Sequence, residues 1–493
     1  MSYINEDAIA ALSTASGKSA IAVIRLSGAD AFEIIDKIFQ TSSVQTRPVQ
    51  AADKQIKYGY IVDGTEKKDE ALCAFFKAPR TYTGENLVEI SVHGNALIIN
   101  EVLNLLYKNG ARPAQAGEFT YRAFINGKKD LAQAEAVCAL ITGKTEKAVK
   151  AALNNLGGEL SNKIKSLKDN LINLLAYVEA SMDHPEEDIM FLSRSQKSGR
   201  LSDLIEQNAK LLSAYKISHT LNNGLKAAII GKPNVGKSSL LNAILGKNRA
   251  IVTEIAGTTT DAIEEIIDCR GIPLTIIDTA GLRSHTNNAI EKLGQEKTKE
   301  ALSAADIIIW VTDGSQPLDK NDEEIAEFLK NASTPIIAVE NKCDLKLQSS
   351  KSVLLSSCAK PQDETVWKQS CNPHSQKLLN CFDKIKTKAL NLSVCRLSAK
   401  TGDGVQELLD EIAKIAGVSD SCGNLMINAR HYNLLQTAQS ALENAKKQYT
   451  DGDSDEIAAF EIRNAAAAYE EILGITAPAD ILDAIFSTFC IGK

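Results

Sequence analysis

One short stretch constrains the fold of this chain more than any other, the sequence GKPNVGKS at residues 231–238. It follows an apolar run at 227–230 and precedes a segment with helical spacing at 239–245, which predicts a strand, a glycine-rich loop and a helix in that order. Backbone N–H groups of such a loop close around phosphates, and the first turn of the helix adds a favourable dipole. In this pattern Lys237 reaches the outer phosphates and Ser238 binds Mg²⁺. The stretch therefore predicts a nucleotide site.

Two further motifs follow in the order that a guanine-nucleotide switch requires. DTAG at 278–281 comes after an apolar run at 274–277, where the carboxylate holds Mg²⁺ through water and the glycine N–H faces the γ-phosphate. NKCD at 341–344 comes after a run at 335–339. Its aspartate, Asp344, is positioned to accept two hydrogen bonds that guanine offers and adenine lacks. These motifs predict that the chain selects GTP over ATP.

A last motif, SAK at 398–400, follows the run 392–397 and completes the base pocket through a backbone N–H. The predicted nucleotide residues of the four motifs are Asn234, Val235, Gly236, Lys237, Ser238, Ser239, Asp278, Thr279, Ala280, Gly281, Asn341, Lys342, Asp344, Ser398, Ala399 and Lys400. The motifs that bind GTP do not by themselves explain its hydrolysis. Leu282 stands where many switch GTPases carry the glutamine that orients the attacking water. Another group has to orient that water.

The composition sets outer bounds. With 493 residues, the chain is long enough for roughly three domains of about 150 residues each. Its apolar content is 44% and no run approaches the roughly 20 apolar residues that span a bilayer, so no membrane association is expected. The acidic first residues lack the basic and apolar regions of a secretion signal, which predicts a cytoplasmic protein.

The cysteine spacing and the net charge indicate the state of the thiols and the kind of contact with nucleic acid that is possible. The ten cysteines are scattered without the spacing of a disulfide framework, so thiols are expected. The net charge of -7 argues against bulk attraction to nucleic acid. Any contact with RNA therefore has to be local or shared with a partner.

The first 125 residues have the pattern of a mixed α/β domain. Strands are predicted at 20–26, 71–76 and 87–92, and helices at 30–39 and 96–107. The polar, turn-rich connection at 78–85 suits a ligand site or a plain loop, and the plain loop is favoured.

Helical patterns dominate the two segments that flank the nucleotide motifs. The stretch 145–181 is rich in Ala, Leu, Lys and Glu with a period of 3.6, broken at Gly157-Gly158, and the chain is helical again from about 425. An acidic cluster at 183–188 is interpreted as a solvated turn rather than a metal site. Neither flank is strongly apolar, so the two are expected to pack together with the nucleotide domain inserted between them.

A second group of motifs is spread over the whole chain. They are YTGE at 82–85, HG at 93–94, GEF at 117–119, RAF at 122–124, DLAQAEA at 130–136, GTT at 257–259 and FCIGK at 489–493. Together with the nucleotide motifs, they make nearly the entire chain resemble the MnmE (TrmE) family of tRNA-modification GTPases. The terminal CIGK is the most specific feature. A phosphate-binding loop is common to very many GTPases, whereas a terminal CIGK after two helical flanks is peculiar to this family.

The resemblance implies a multidomain α/β plus all-α fold. The expected parts are an N-terminal α/β folate-binding domain at 1–125, a helical domain from two flanking segments at 126–222 and 419–493, and an inserted Ras-like P-loop GTPase domain at 223–418. It also implies a homodimer and a flavoprotein partner, MnmG, in a heterotetramer. With MnmG, the family adds an aminomethyl or carboxymethylaminomethyl group at carbon 5 of the wobble uridine of certain tRNAs.

The one-carbon unit is expected to come from a tetrahydrofolate derivative, in its 5-formyl or methylene form. By matching motif positions, the resemblance implies that Arg25, Glu89, Lys128 and Lys493 contact folate. It also makes Cys490 a candidate catalytic residue. The sequence neighbours of Cys490 include no group that activates a thiol, so a positional role is favoured over covalent catalysis.

The resemblance further implies a K⁺ ion beside the phosphates when two nucleotide domains face each other. Such a cation supplies the positive charge that an arginine finger gives elsewhere. Its ligand positions are matched by Asn234, Thr253, Ile255 and Thr258, and Mg²⁺ is matched by Ser238 and Thr259. Glu291 matches the glutamate that orients the attacking water through a second water. The nucleotide loop implied by the same matching comprises Thr253, Glu254, Ile255, Ala256, Gly257, Thr258 and Thr259.

The chain departs from the family pattern at four places. Thr260 replaces a usual arginine, and the stretch at 287–290 is less acidic and one residue longer, which weakens the placement of Glu291. The N-terminal loop at 13–20 is less glycine-rich. A long insertion between the NKCD and SAK motifs carries three cysteines and His374, but it has no C-x-x-C pair, so a surface loop is favoured over zinc.

Two other functions stay open from the residues alone. A ribosome-assembly GTPase would share the phosphate-binding loop, although the acidic helical flanks lack an RNA-binding module. A folate-dependent one-carbon transferase with a regulatory GTPase domain is the other.

Overall fold

The protein is described here by a computed structural model covering residues 7–41, 53–183, 192–247, 265–278, 302, 304–329, 332, 334–345, 392–417, 425–452 and 454–493. The chain divides into two compact units. The first unit consists of Met1–Cys138, Leu153–Lys210 and Arg430–Lys493, and the second unit of Ala139–Ala152 and Leu211–Ala429.

Strands and helices are numbered separately in chain order over the described residues. The strands are β1 Ile9–Leu12, β2 Ser19–Ser27, β3 Phe39–Thr41, β4 Gln55–Asp63, β5 Glu66–Phe76, β6 Leu87–Gly94, β7 Arg112–Pro113, β8 Leu225–Ile230, β9 Glu265–Cys269, β10 Ile272–Asp278, β11 Ile307–Asp313, β12 Ile336–Asn341 and β13 Leu392–Arg396. The helices are α1 Ala31–Ile38, α2 Ala96–Lys108, α3 Glu118–Ile125, α4 Leu131–Thr142, α5 Glu146–Leu156, α6 Glu159–Asp183, α7 Arg194–Asn223, α8 Lys237–Lys247, α9 Lys320–Leu329, α10 Val405–Ile415, α11 Ala429–Thr450, α12 Asp455–Leu473 and α13 Ala479–Ser487.

A seven-stranded sheet forms the N-terminal part of the first unit, in the order β3-β4-β5-β6-β2-β1-β7. Neighbouring strands are antiparallel except for β1 and β7, which are parallel. Helices α1 and α2 pack against the sheet over one hydrophobic core. The helix predicted at 30–39 ends at Ile38, because Phe39 already pairs with Ile61 in the β3–β4 ladder.

The helices of the first unit come from both flanks of the chain. Helix α6 packs along α12 in the antiparallel direction, since Ser181 at the end of α6 donates to Asp455 at the start of α12. Lys168, earlier in α6, lies 3.8 Å from Glu470, near the end of α12. The prediction that the two helical flanks pack together is therefore confirmed. The predicted break at two glycines is also found, with Gly158 at a φ of 93° between α5 and α6.

A six-stranded sheet forms the centre of the second unit, in the order β13-β12-β11-β8-β10-β9. All its neighbouring strands are parallel except β9, which pairs antiparallel to β10 at one edge. Strands β11 and β12 are buried at every residue, as expected for a parallel sheet covered on both faces. Parallel strands have their carboxyl ends on the same side of the sheet. The loops after β8, β12 and β13 therefore all leave the sheet on that side.

Among the described helices, none has an apolar stretch of the length that crosses a bilayer.

Candidate functional site

The phosphate-binding loop follows β8 and leads into α8, as predicted. Its backbone requires glycine at two positions. Gly231 has a φ of 155°, and a Cβ there would lie 2.3 Å from the carbonyl oxygen of Val311. Gly236 has a φ of 95°, and a Cβ there would lie 2.3 Å from Nδ2 of Asn341. No other residue fits this loop path without displacing its neighbours.

The polar side chains of the loop stand at the start of α8. Lys237 Nζ donates to the carbonyl oxygens of Gly231 at 2.9 Å and Lys232 at 2.8 Å, so it lies across the mouth of its own loop. Ser238 and Ser239 follow in the first turn of the helix, where unpaired backbone N–H groups favour an anion. This arrangement suits the outer phosphates of a nucleotide.

Asn341 ties the base-recognition motif to the phosphate-binding loop. Its Nδ2 donates to the carbonyl oxygen of Val235 at 2.8 Å. Its Oδ1 accepts from the backbone N–H of Lys342 at 2.8 Å and of Ala399 at 2.9 Å. Asn341 is buried, so these bonds satisfy a side chain that otherwise carries a desolvation cost. One amide thus holds three predicted motifs together.

Lys342 adds a second link between the same motifs. Its Nζ donates to the carbonyl oxygen of Asn234 and to Oδ2 of Asp313, both at 2.7 Å. Burial alone would raise the pKa of Asp313, but the hydrogen bonds from Lys342 and Ser315 outweigh it and hold that pKa below its usual value. The Asp313 carboxylate therefore stays charged, and its ion pair with Lys342 fixes the loop after β12.

Asp344 is oriented by the third motif. Ser398 Oγ donates to Asp344 Oδ1 at 2.7 Å, and the backbone N–H of Ser398 donates to the carbonyl oxygen of Asp403 at 2.9 Å. Lys400 lies in the turn that follows. The structure thus brings together the predicted residues of the phosphate-binding, NKCD and SAK motifs.

The remaining nucleotide motifs are only partly described. Asp278 ends β10, with its backbone in register with Ile229 of β8, which places the start of the DTAG motif beside the phosphate-binding loop. Predicted residues outside the described part of the chain are Thr253, Glu254, Ile255, Ala256, Gly257, Thr258, Thr259, Thr279, Ala280, Gly281 and Glu291. The insertion with His374 also lies outside it. The roles of these residues stay predictions.

A second cluster of predicted residues lies in the sheet of the first unit. Arg25 of β2 and Glu89 of β6 are direct partners across the two strands, and Arg25 Nη2 lies 2.7 Å from Glu89 Oε1. The Arg25 guanidinium also lies 5.1 Å from the ring centroid of Tyr82 and 5.6 Å from that of Phe119. A cation between two aromatic rings gains a favourable interaction with each. The cluster offers cationic, anionic and aromatic groups side by side.

One lysine lies close to the Tyr82 side of this cluster, and its neighbour in sequence bonds to the 78–85 connection that carries Tyr82. Lys129 Nζ is 5.6 Å from the Tyr82 ring centroid, and burial lowers the pKa of Lys129 in spite of the nearby Asp130. Lys128 Nζ donates to the carbonyl oxygen of Pro79 at 3.0 Å. Lys128 was predicted from the sequence, whereas Lys129 was not, because only the fold places its ammonium beside Tyr82.

The C-terminal tail is seated on the same part of the first unit. The backbone N–H of Phe119 donates to the carbonyl oxygen of Lys493 at 3.2 Å, and Ile491 forms a β-bridge with Ala116. Gly492 has a φ of 91° and accepts from Ser13 Oγ at 3.1 Å through its carbonyl oxygen.

The seat of the tail brings the predicted residue Lys493 to the aromatic cluster. Lys493 bonds to the backbone of Phe119, whose ring faces Arg25. The thiol of Cys490 is exposed, and its carbonyl oxygen lies 3.5 Å from the backbone nitrogen of Gly117. Lys493 and Arg25 are thus brought to the same cluster from opposite ends of the chain.

Comparison with known proteins decides the family. Residues 131–490 match the model of the MnmE helical domain, and residues 8–128 match the model of the GTP-binding protein TrmE N-terminus. The chain is 58% identical over 496 residues to the tRNA modification GTPase MnmE of Endomicrobium trichonymphae, with 100% of both chains covered. The chain belongs to the MnmE family.

Other relatives agree with this assignment. The tRNA modification GTPase MnmE of Aquifex aeolicus is 40% identical, with 98% of this chain and 99% of the relative covered. That of Clostridioides difficile is 38% identical, with 99% of both covered. A solved structure of Era from Aquifex aeolicus, bound to GDP and AlF4, is 24% identical over 44% of this chain and 66% of its own, with a TM-score of 0.27. Because this TM-score is low, the family assignment rests on the family models and the sequence relatives alone.

Membership of the MnmE family confirms the predicted fold class and the prediction of a GTP hydrolase of tRNA modification. The domain boundaries at 125, 222 and 418 stay predictions, and so do the individual roles of the site residues.

Three of the MnmE-like motifs meet in a buried network of charges that sequence reasoning did not assign. Arg122, whose side chain is 1% exposed, lies 3.1 Å from Glu85, 3.0 Å from Glu118 and 3.0 Å from Asp7. Arg112 also pairs with Glu118, at 2.6 Å. Burial would raise the pKa of Glu118, but the two arginines outweigh it and keep that pKa below its ordinary value. The YTGE, GEF and RAF motifs are therefore held by ion pairs inside the first unit.

The DLAQAEA motif joins helices from the two flanks. Glu135 of α4 accepts from Arg430 Nη2 and lies against His431 Nε2 of α11, both at 2.7 Å. Arg430 Nη1 also donates to the carbonyl oxygen of Glu471 in the last turn of α12, at 2.8 Å. Burial would raise the pKa of Glu135, but His431 and Arg430 outweigh it and hold that pKa well below its usual range. The motif thus serves the assembly of the helical part of the first unit.

Proposed function

We propose that this chain is a K⁺-stimulated GTPase that, with the flavoprotein MnmG, modifies carbon 5 of the wobble uridine of certain tRNAs. The family assignment supports the tRNA substrate, because the relatives are named tRNA modification GTPases. The observation that carries the folate part of the proposal is the cluster of Arg25, Glu89, Tyr82 and Phe119 with the C-terminal tail seated on it.

The residues of this cluster fit a tetrahydrofolate derivative. A pterin ring offers N–H donors and a flat face, which suit the Glu89 carboxylate and the Tyr82 ring. Its glutamate tail carries carboxylates, which suit the ammonium groups of Lys128 and Lys493. When bound, the folate supplies the one-carbon unit for the uridine.

The chain's own contribution to this chemistry is positioning. Glu89 keeps Arg25 in place across the two strands, and burial raises the pKa of Tyr82 against the opposing effects of Thr120 and Arg25, so its hydroxyl stays protonated at neutral pH. The exposed Cys490 stands on the same tail as Lys493. We assign Cys490 a positional role beside the tRNA.

Hydrolysis is proposed to occur in the second unit with Mg²⁺ and K⁺. Lys237 and Ser238 hold the phosphates and Mg²⁺, with Thr259 as the second protein ligand. Asn234, whose φ is 63°, presents its side chain at the turn of the phosphate-binding loop, where an oxygen ligand suits a monovalent cation. Thr253, Ile255 and Thr258 are proposed to complete the K⁺ site, and Glu291 to orient the water.

Removal of the Asn234 side-chain oxygen is expected to erase most of the K⁺ stimulation. GTP hydrolysis by the parent chain should be about tenfold or more faster in K⁺ than in Na⁺, because the cation offsets charge that develops in the transition state. Asn234→Ala should lose that difference while GTP binding is largely kept. Asn234→Gly is the matched control, since it also lacks the oxygen but relieves the left-handed backbone.

The measurement is steady-state phosphate release in the two salts at matched ionic strength. Equal rates of phosphate release by the parent chain in K⁺ and Na⁺ would show that K⁺ does not stimulate hydrolysis. Retention of the K⁺ effect in both variants would instead remove Asn234 from the site.

The proposal includes a homodimer, a heterotetramer with MnmG and a cytoplasmic location, where tRNA and GTP are present together. It also keeps the domain boundaries predicted from the sequence. Of the two alternative functions, the ribosome-assembly GTPase is disfavoured by the family assignment, and the one-carbon transferase differs only in what GTP hydrolysis serves.

Nucleoside analysis of tRNA from a strain that lacks this protein tests the proposed function. The wobble modification should be lost and should return when the chain is supplied. Intact modification together with defective ribosomal subunits would support the ribosome-assembly alternative.

A further inference from the structure

The second residue of the phosphate-binding loop has an ion pair that the nucleotide motif does not explain. Lys232 Nζ lies 2.9 Å from Oδ2 of Asp319 and 2.8 Å from Oδ2 of Asp322. The side chain of Asp322 is 2% exposed and that of Lys232 is 13% exposed. The lysine of this loop position therefore points into the protein, toward the start of α9, and not toward the phosphates.

The two carboxylates are held rigidly by the first turn of α9. Asp319 Oδ1 accepts from the backbone N–H groups of Asn321 at 3.0 Å and Asp322 at 3.1 Å. Asp322 Oδ2 accepts from the backbone N–H of Asp319 at 3.2 Å. This reciprocal pattern is that of a capping box, in which the side chains at both ends of the first turn satisfy free N–H groups. The acceptors for Lys232 are therefore fixed by backbone.

The charges of this group are not balanced for stability. Two carboxylates face one ammonium, and the buried Oδ1 of Asp322 has no hydrogen-bond partner among the residues that the structure describes. Burial would lower the pKa of Lys232, but Asp322 and Asp319 outweigh it and raise that pKa, so the lysine stays charged. A buried ion pair with an unsatisfied oxygen is weak evidence for a stabilising role.

The group is connected to the phosphate site through the backbone of Lys232. The carbonyl oxygen of Lys232 accepts from Lys237 Nζ at 2.8 Å. The side chain of Lys232 lies 2.8 Å from Asp322, so this residue is bonded through both its carbonyl group and its side chain. Release of a nucleotide requires the loop N–H groups to move off the phosphates, and the anchored loop resists that movement.

We propose that Lys232, Asp319 and Asp322 form an anchor that ties the phosphate-binding loop to α9 and sets how long guanine nucleotide stays bound. Lys232 is in this role a positioning residue, because it acts on the nucleotide through Lys237 and the loop backbone. The inference rests on the guanine-nucleotide binding of the proposed function.

Lys232→Met is expected to speed GDP release about tenfold, because loss of a hydrogen bond between charged groups changes an equilibrium constant by about that factor. The probe is GDP with an N-methylanthraniloyl label, bound to the full chain with Mg²⁺ and chased with unlabelled GDP. Lys320→Met is the matched control, because it removes an exposed lysine at the start of α9, next to Asp319. This variant should release GDP within about twofold of the parent rate.

A second variant separates the anchor from simple damage to the fold. Lys232→Met leaves the buried carboxylate of Asp322 without its cation, and Asp322→Asn removes that charge. The double variant should therefore recover part of the lost retention while still releasing GDP faster than the Lys320→Met control. It also keeps the test available if Lys232→Met alone does not fold.

Release from the folded Lys232→Met protein at the control rate, with only the melting temperature lowered, would overturn the anchor. A double variant that releases GDP faster than Lys232→Met would overturn it as well. If Lys232→Met does not fold, the double variant is compared with Lys320→Met alone. Release of GDP by the double variant at the rate of Lys320→Met would then also overturn the anchor. A parent chain that does not retain labelled GDP at all would instead contradict the nucleotide binding of the proposed function.

Discussion

Replacement of Asp344 by asparagine is expected to abolish the preference of this chain for GTP over xanthosine triphosphate. The carboxylate offers two acceptors to the N1–H and 2-amino groups of guanine, whereas asparagine offers one acceptor and one donor. A site built to hydrogen-bond a ligand rejects mismatched groups strongly, so GTP affinity should fall about a hundredfold or more. Ser398 Oγ already holds Asp344 Oδ1 at 2.7 Å, and an amide oxygen accepts the same bond, so the loop should keep its shape.

Competition between the two nucleotides for the purified variant measures this change. Asp403→Asn is the matched control, since it alters an exposed aspartate in the neighbouring loop whose side chain bonds to Thr401, and it keeps the backbone carbonyl group that accepts from Ser398. The control should keep the preference for GTP. An Asp344→Asn protein that still prefers GTP as strongly as the parent would show that the base is recognised elsewhere.

Deletion of residues 490–493 is expected to abolish wobble-uridine modification while GTP hydrolysis stays within about twofold of the parent rate. The tail holds Lys493 against the backbone of Phe119 beside the proposed folate site. The described nucleotide motifs lie in the second unit, whereas the tail belongs to the first. Both activities have to be measured on one preparation, by tRNA nucleoside analysis and by phosphate release.

Two point variants refine the deletion. Gly492→Ala places a Cβ 2.1 Å from the carbonyl oxygen of Leu12 at a φ of 91°, so it should unseat the tail and lower modification strongly. Lys493→Met keeps the seat, because Phe119 bonds to the backbone of that residue, and it removes only the charge. Normal modification by the truncated chain, or loss of both activities, would contradict a dedicated tail.

The nucleotide site was the part most open to prediction from sequence. Its motifs have fixed spacing because a strand must end, a loop must turn around phosphate and a helix must begin within a few residues. The links between motifs are different. Asn341 bonds to Val235 and Ala399, which lie 106 and 58 residues away, and only the order of strands in the sheet brings them together.

The first unit shows where local patterns end. Strand β2 was predicted from its apolar run, but its pairing of Arg25 with Glu89 depends on register with a strand 64 residues away. No spacing rule joins Arg122 to Asp7 at a separation of 115 residues. The resemblance named the motifs of the buried network, yet their ion pairs became visible only when the sheet and α3 were placed together.

In the proposed function, one chain joins folate-dependent chemistry on tRNA to GTP hydrolysis in a separate unit. The most direct measurement combines the purified chain with MnmG, unmodified tRNA, methylenetetrahydrofolate, GTP, Mg²⁺ and K⁺, and quantifies the modified wobble uridine after digestion of the tRNA. We expect that the modified nucleoside forms when all components are present and is lost when either folate or GTP is left out. Equal formation of the modified nucleoside without folate, or without GTP, would contradict it.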